Sequence, residues 1–275
     1  MKIPSIIYGT AWKEEATAGL VEEAVLAGFR AIDTANQKKH YREDYVGEAL
    51  LALRAKGISR EELFLQSKYT YKEGQDHRLP YDPKADLAAQ VKSSFESTLK
   101  NLHTDHLDAY LLHGPRSGRG LTEGDWEVWG AMEELKASGR ARLVGVSNVG
   151  LHHLAELWQK AKTKPDIVQN RCFAAQGWDE DVRGFCLSKG IVYEGFSLLT
   201  ANPQVVSDPS VAEIARRLKA TPQQVIFSFT RQIGILPLTG TTDPKHMRDD
   251  LEAVSLKLSD ADIETIGTGR RPKGI

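Results

Sequence analysis

The chain has 275 residues, 41% of them hydrophobic and 27% charged, which is ample material for a large core and excludes a disordered polymer. Its 36 basic residues are matched by 37 acidic ones, and a formal charge of -1 gives no electrostatic basis for binding nucleic acid or anionic lipid. A ligand must therefore be read from a site.

The first residues carry no long apolar stretch and no small-residue cleavage pattern, so they read as mature sequence rather than a secretory signal. No apolar run approaches the roughly 20 residues that span a bilayer. Cys172 and Cys186 are too few for a disulfide framework or a zinc site and fit a reducing, cytoplasmic compartment. Both are expected to be buried fillers, and no metal is expected.

Taken from the N-terminus, an apolar β-branched run at residues 6–10 precedes an amphipathic stretch at 17–27, and the alternation repeats. Runs at 31–35, 63–68 and 107–113 precede helical stretches at 44–56, 84–102 and 126–138. Runs at 143–148, 167–170, 191–197 and 235–239 precede stretches at 151–162, 181–188, 209–219 and 244–253. Eight strand-helix units in a chain of this length predict an α/β fold, a single (β/α)8 TIM barrel domain over residues 1–275. Gly28, Gly57, Gly139 and Gly190 follow helical stretches closely, as C-terminal caps do. Asp243-Pro244 predicts an N-cap with proline in the first turn, and Thr221-Pro222 a further short helix. A last short helix is expected at 259–266, with a polar remnant at 267–275. The irregular segments 70–83, 114–125 and 199–208 each follow a strand, which in a barrel places them at the C-terminal mouth.

Four residues stand at or just past successive strand ends: Asp33, Tyr41, Lys68 and His113. One such residue alone is most often a solvated rim residue, but together they make chemical sense. Tyrosine has a pKa of about 10, and an adjacent ammonium lowers it. Lys68 supplies that charge, Asp33 holds Lys68, and His113 hydrogen-bonds and orients a substrate oxygen toward Tyr41. Tyr41 lies eight positions after Asp33, so a bulging loop must deliver it, and Tyr45 is the rival. His40 reads as a loop residue.

These residues resemble the aldo-keto reductase family over nearly the whole chain. Gly9-Thr10-Ala11-Trp12-Lys13 is similar to its first-strand motif and Ala31-Ile32-Asp33-Thr34-Ala35 to its Asp motif. Tyr41 followed by Val46-Gly47-Glu48-Ala49-Leu50 resembles the tyrosine segment, while Lys68 and His113 end two further motifs. Gly145-Val146-Ser147-Asn148 is the most specific string.

The resemblance implies that an aldehyde or ketone is reduced to an alcohol by hydride from a nicotinamide, with Tyr41 as general acid. It assigns Ser147, Asn148 and Gln169 to the carboxamide, Phe196 to a stack on the nicotinamide ring, and Ser197, Leu198, Leu199 and Thr200 to the pyrophosphate. Barrel core is the plain reading of Phe196. The adenosine end falls to Thr239, Gly240 and Thr241 and to the helix opened by Asp243-Pro244, whose free N–H groups suit a phosphate. Thr10, Trp12, Asp33, His246 and Asp250 complete the implied cofactor contacts. Leu238 and His246 replace the family's usual lysine and arginine at the 2'-phosphate, and Lys245 and Arg248 are the compensating candidates. NADPH is the expected cofactor, with NADH or dual use open. The family uses no Gly-x-Gly-x-x-Gly loop, and Gly118-Arg119-Gly120 is simplest as a turn.

Gly114-Pro115 follows His113 where many relatives carry an aromatic residue, and the tail is brief, so the resemblance predicts an open pocket for bulky carbonyls. Tyr69, Tyr71, Trp126 and Trp178 are its candidate walls, and a monomer or weak dimer is expected. Two other functions fit the same residues: a cofactor-binding redox sensor with little turnover, and an aldolase using Lys68 as a Schiff-base nucleophile.

Overall fold

The computed structural model describes residues 3–268. Eight parallel strands close into one barrel in chain order: β1 (Ile7–Gly9), β2 (Ala31–Asp33), β3 (Phe64–Tyr69), β4 (Leu107–Leu112), β5 (Ala141–Ser147), β6 (Ile167–Arg171), β7 (Val192–Phe196) and β8 (Leu236–Thr239). The described helices are α1 (Thr17–Ala27), α2 (Glu43–Ala55), α3 (Leu87–Asn101), α4 (Glu123–Ala137), α5 (Leu151–Lys160), α6 (Glu180–Lys189), α7 (Pro203–Val206), α8 (Pro209–Leu218), α9 (Pro222–Gln232), α10 (Pro244–Ala253) and α11 (Asp260–Thr268). The (β/α)8 barrel expected from the alternation is the observed fold.

Strand residues alternate between two cores. One face sends Ile7, Ala31, Phe64, Ala109, Leu111 and Ile167 into the barrel interior, and the other packs Tyr8, Ile32, Leu65, Tyr110 and Val168 under the helices. Local signals set the helix ends. Thr122 and Asp125 form a reciprocal capping box that starts α4 earlier than the predicted residue 126. Asp86 caps α3 through the Ala89 N–H, which moves its start from 84 to Leu87. Gly28, Gly57, Gly139 and Gly190 all take positive φ, of 130°, 89°, 75° and 70°.

Two expectations are corrected. The short helix predicted after Thr221 is the full α9, seven of whose residues are buried, because a Thr221–Gln224 capping box starts it and its apolar face covers the barrel. The segment 199–208 is not wholly irregular, since Pro203 opens the single turn of α7. Of the polar remnant predicted at 267–275, residues 269–275 lie outside the described residues. No helix among the described residues is long and apolar enough to cross a membrane.

Gly47 shows how tightly α2 packs against the end of α3 in the outer layer. A Cβ at this helical position would collide with the Asn101 carbonyl at the end of α3. Gly47→Ala is therefore expected to destabilise the fold by about 2 kcal/mol or more, since backbone must move to admit one methyl. Urea unfolding of the variant checks this.

Candidate active site

Alternation along β3 turns Phe64, Gln66 and Lys68 inward, and the register Asp33↔Gln66 sets the end of β2 beside them. Lys68 Nζ donates to both Asp33 carboxylate oxygens at 2.6 Å and to the Thr34 carbonyl at 3.0 Å, so its three protons are engaged. Lys68 is 1% exposed and Asp33 3%. Burial pulls the Lys68 pKa down, yet the Asp33 carboxylate, with Tyr41 and Glu194 adding, holds it above the ordinary lysine value.

Tyr41 reaches this pair from the loop between β2 and α2. The long spacing from Asp33 is absorbed by a tight turn, in which His40 N and Tyr41 N donate to the Gln37 carbonyl at 3.2 and 3.0 Å. Asn36 Nδ2 anchors the loop to the Ser94 carbonyl at 3.0 Å, and Gln37 Nε2 anchors it to the Gly74 carbonyl at 2.7 Å. Glu43 pins the start of α2, accepting from Ser67 Oγ at 2.6 Å. Lys68 Nζ lies 5.4 Å from the Tyr41 ring centroid. Tyr45 stacks instead under the Arg42 guanidinium at 3.6 Å, away from the cavity. Burial holds the Tyr41 phenol above its ordinary pKa, although the Lys68 ammonium acts to lower it. The net depression expected from Lys68 is thus reversed by desolvation, and Tyr41 is a neutral phenol at neutral pH.

His113 stands one residue past β4, its ring 5.9 Å from that of Tyr41 and nearly perpendicular to it. Burial, then the Lys68 and His40 charges, push its pKa down to about 3, so the imidazole is neutral. Its Nδ1 lies 2.7 Å from Thr70 Oγ1. Among the described residues neither Tyr41 Oη nor His113 Nε2 has a hydrogen-bond partner, and both residues line one cavity of about 670 Å³ at the barrel mouth.

That cavity is a trough running from Asp33, Tyr41 and His113 past β5 to β8 and the start of α10. Ser147, Asn148, Gln169 and Phe196 also line it. Ser147 Oγ donates to the Gln169 carbonyl at 2.6 Å, and Asn148 Nδ2 donates to the His113 carbonyl at 2.8 Å. Gln169 Nε2 lies between two carboxylates, donating to Asp33 at 3.0 Å and Glu194 at 2.8 Å. Its Oε1 accepts no hydrogen bond from the described residues. Ser197, Leu198, Leu199 and Thr200 follow along the middle, and Thr241, His246 and Asp250 close the far end with Thr239 and Gly240. An amide acceptor, an aromatic lining residue and a long trough fit a nicotinamide dinucleotide.

Some predicted contacts sit differently. Thr10 does not line the trough, because its hydroxyl is buried and donates to the Asp33 carbonyl at 3.0 Å. Trp12 lines the rim, 70% exposed, and its ring stacks on His40 with centroids 3.8 Å apart. The N–H groups that open α10 are not free for a phosphate. Asp243 Oδ1 accepts from Lys245 N at 2.7 Å and His246 N at 3.3 Å, and Pro244 has no N–H. Lys245 itself pairs with Asp249 at 2.6 Å. Of the candidate substrate walls, Tyr71 lines a second cavity of about 470 Å³ beyond His113, with Pro115 and Arg116. Tyr69 and Trp178 are core residues, and Trp126 packs against the core.

Sequence reasoning missed Gln66 and Glu194. Gln66 Nε2 donates to Asp33 and to Glu194, each at 2.8 Å, so a wholly buried glutamate sits beneath the ion pair. The signal was an acidic residue at mid-strand in Val192-Tyr193-Glu194-Gly195-Phe196, on the same face as Val192 and Phe196. Arg171, at the end of β6, and Phe227 on α9 also line the trough. Among the described residues, no cluster of three or more His, Cys, Asp or Glu could hold a metal.

Burial, and then Asp33, raise the Glu194 pKa to about 7. A carboxyl whose folded pKa lies above its unfolded value of about 4.3 stabilises the fold below that value and loses the contribution as pH climbs through the folded pKa. Glu194→Gln should therefore become more stable relative to the parent as pH rises from about 4.5 to 7, by on the order of 2–3 kcal/mol. Urea unfolding of both proteins across that range measures the difference.

The sequence profile of the Aldo/keto reductase family matches residues 5–203. Glyoxal reductase of Bacillus subtilis is 31% identical over 252 residues, covering 92% of this chain and 82% of its own. The crystal structure of an aldo/keto reductase from Brucella melitensis superposes with a TM-score of 0.82 at 25% identity, covering 97% of this chain and 95% of that one. A Bombyx mori aldo-keto reductase in complex with NADP reaches a TM-score of 0.82 at 23% identity, over 97% of this chain and 89% of that one. Barrel, motif residues and relatives agree, and the chain belongs to the aldo/keto reductase family of oxidoreductases.

Proposed function

We propose that the protein is a carbonyl reductase that turns an aldehyde or ketone into its alcohol, with Tyr41 as the proton donor and NADPH as the preferred cofactor. One observation carries the reading: among the described residues the Tyr41 hydroxyl and His113 Nε2 have no hydrogen-bond partner, and both residues line one cavity beside a buried ammonium-carboxylate pair. A reduced nicotinamide, when bound, supplies hydride to the carbonyl carbon. His113 Nε2–H donates to the carbonyl oxygen and aims it at Tyr41. The Tyr41 proton moves to that oxygen, and the Lys68 ammonium offsets the phenolate left behind, a charge that grows only as reaction proceeds. Asp33 keeps Lys68 charged and in place.

Gln169 Oε1 and the Asn148 amide suit the two ends of the nicotinamide carboxamide, and Phe196 suits a stack on its ring. Lys68 favours no aldolase, because its three protons are already donated and it does not line the cavity. The second cavity, walled by Tyr71 and Pro115 and rimmed by the Arg116–Glu73 pair, offers room for a bulky substituent on the carbonyl.

Tyr41→Phe is expected to bind NADPH as the parent does, by fluorescence titration, while its aldehyde-dependent consumption of NADPH drops at least a hundredfold. Turnover at the parent rate would remove Tyr41 from the mechanism. Because the phenol sits above its ordinary pKa, alcohol oxidation by the parent, which needs the phenolate, should keep rising with pH beyond 9.

At the adenosine end, of the two compensating candidates Lys245 lines the trough and Arg248 does not, which supports Lys245 as the cation for a 2'-phosphate, after release from Asp249. Both cofactors should therefore support turnover. Lys245→Ala is expected to raise the KM for NADPH roughly fivefold, the worth of one exposed charge contact, and to leave that for NADH unchanged. Initial rates with each cofactor decide it.

A further inference from the structure

Thr70 follows the last residue of β3, where its side chain meets the ring of His113. Its backbone is fixed from two directions, the Thr70 carbonyl accepting from Tyr81 Oη at 2.7 Å and from Gln75 Nε2 at 3.4 Å. A Cβ on Gly74 would lie only 2.7 Å from Thr70 Cγ2, so the methyl is lodged against that glycine. The hydroxyl is thereby turned to His113 Nδ1 at 2.7 Å, and among the described residues it has no other partner. Thr70 is 6% exposed, and its small open face lines the second cavity together with His113. The imidazole backbone is held as well, with His113 N donating to the Tyr69 carbonyl at 2.9 Å and the His113 carbonyl accepting from Asn148.

A neutral imidazole carries its proton on one nitrogen, and the hydrogen bond made by the other decides which. If Nδ1 held the proton and donated to Thr70, the hydroxyl hydrogen would be left buried without an acceptor among the described residues, a costly arrangement. The Nε2 lone pair would then face the substrate oxygen and repel it. If Thr70 donates to Nδ1 instead, every polar hydrogen is used, and Nε2 carries the proton into the cavity. Burial and the nearby Lys68 charge keep the ring uncharged, so the choice between these two forms is a real one.

We propose that Thr70 is a positioning residue of the reaction: its hydroxyl donates to His113 Nδ1 and fixes the tautomer in which Nε2–H points at the substrate carbonyl. This rests on the reading of His113 as the group that orients that carbonyl. It adds a group just past the end of β3, beyond the four residues already named, that selects how His113 acts.

The test joins nitrogen NMR to kinetics on the full chain. With 15N-labelled histidine, two-bond nitrogen-hydrogen couplings report which ring nitrogen of His113 is protonated, and the His113→Asn variant identifies its signals. The parent and Thr70→Ser should show the Nε2–H form. Thr70→Val, nearly isosteric but without a donor, should show a mixture or the Nδ1–H form. Its kcat should fall roughly tenfold to a hundredfold, as for loss of a group orienting a functional histidine, while NADPH affinity stays within twofold of the parent. Thr70→Ser should restore most of kcat. A parent spectrum with the proton on Nδ1, or a Thr70→Val protein with unchanged tautomer and unchanged kcat, overturns the proposal. Absence of carbonyl reduction by the parent with either cofactor would sink the proposed reaction instead, and the parent spectrum would still read the tautomer.

Discussion

The buried pair of Lys68 and Asp33 is the constraint around which the barrel mouth is arranged. Taking an ammonium and a carboxylate out of water costs several kcal/mol each unless geometry and further hydrogen bonds compensate. Here the compensation is complete on the lysine side, with three acceptors for three protons, and it reaches past Asp33 to Gln66 and Gln169. Those two amides then share Glu194 below. The outcome is a fixed positive charge in a place of low dielectric, where it acts strongly on any anion forming next to it. A surface lysine would be screened and mobile.

The rest of the site is attached to that pair by short connections. Asp33 and Lys68 end neighbouring parallel strands, so the register of β2 on β3 sets their separation. The turn through Gln37 carries Tyr41 back over Lys68, and the Trp12–His40 stack ties it to the loop after β1. The Thr70–His113 contact links the ends of β3 and β4 in the same way. Each group with a free polar atom in the cavity is therefore held from behind by a strand or a neighbouring loop, which is the requirement for preorganised catalysis.

Much of this was legible from the residues. The eightfold alternation prescribed the barrel, and strand-end positions placed Asp33, Lys68 and His113 on one rim, since consecutive parallel strands must lie side by side. Tyr41 was harder, because seven intervening residues say nothing about a turn until Gln37 is seen accepting from two N–H groups. Gln66 and Glu194 escaped because mid-strand residues read as core. Only the period-two alternation, followed into the polar layer, puts them beneath Asp33. The sign of the Tyr41 shift was not legible either, since a nearby ammonium is visible in a motif while desolvation is a property of the packed cavity. Asp243 was correctly placed as a cap, but the same contact removes the phosphate-binding capacity inferred from that helix end.

The Lys245–Asp249 pair lies on an exposed turn of α10, at the opposite end of the trough from the sealed charge of Lys68. Mobile ions reach the first and not the second, so ionic strength acts on the two ends unequally. On the proposed cofactor placement, salt weakens the contact of Lys245 with an adenosine phosphate while the field at the phenol stays as it is. In the proposed reaction the choice of cofactor is thus an outer, tunable property, separable from the proton transfer by the length of the dinucleotide itself.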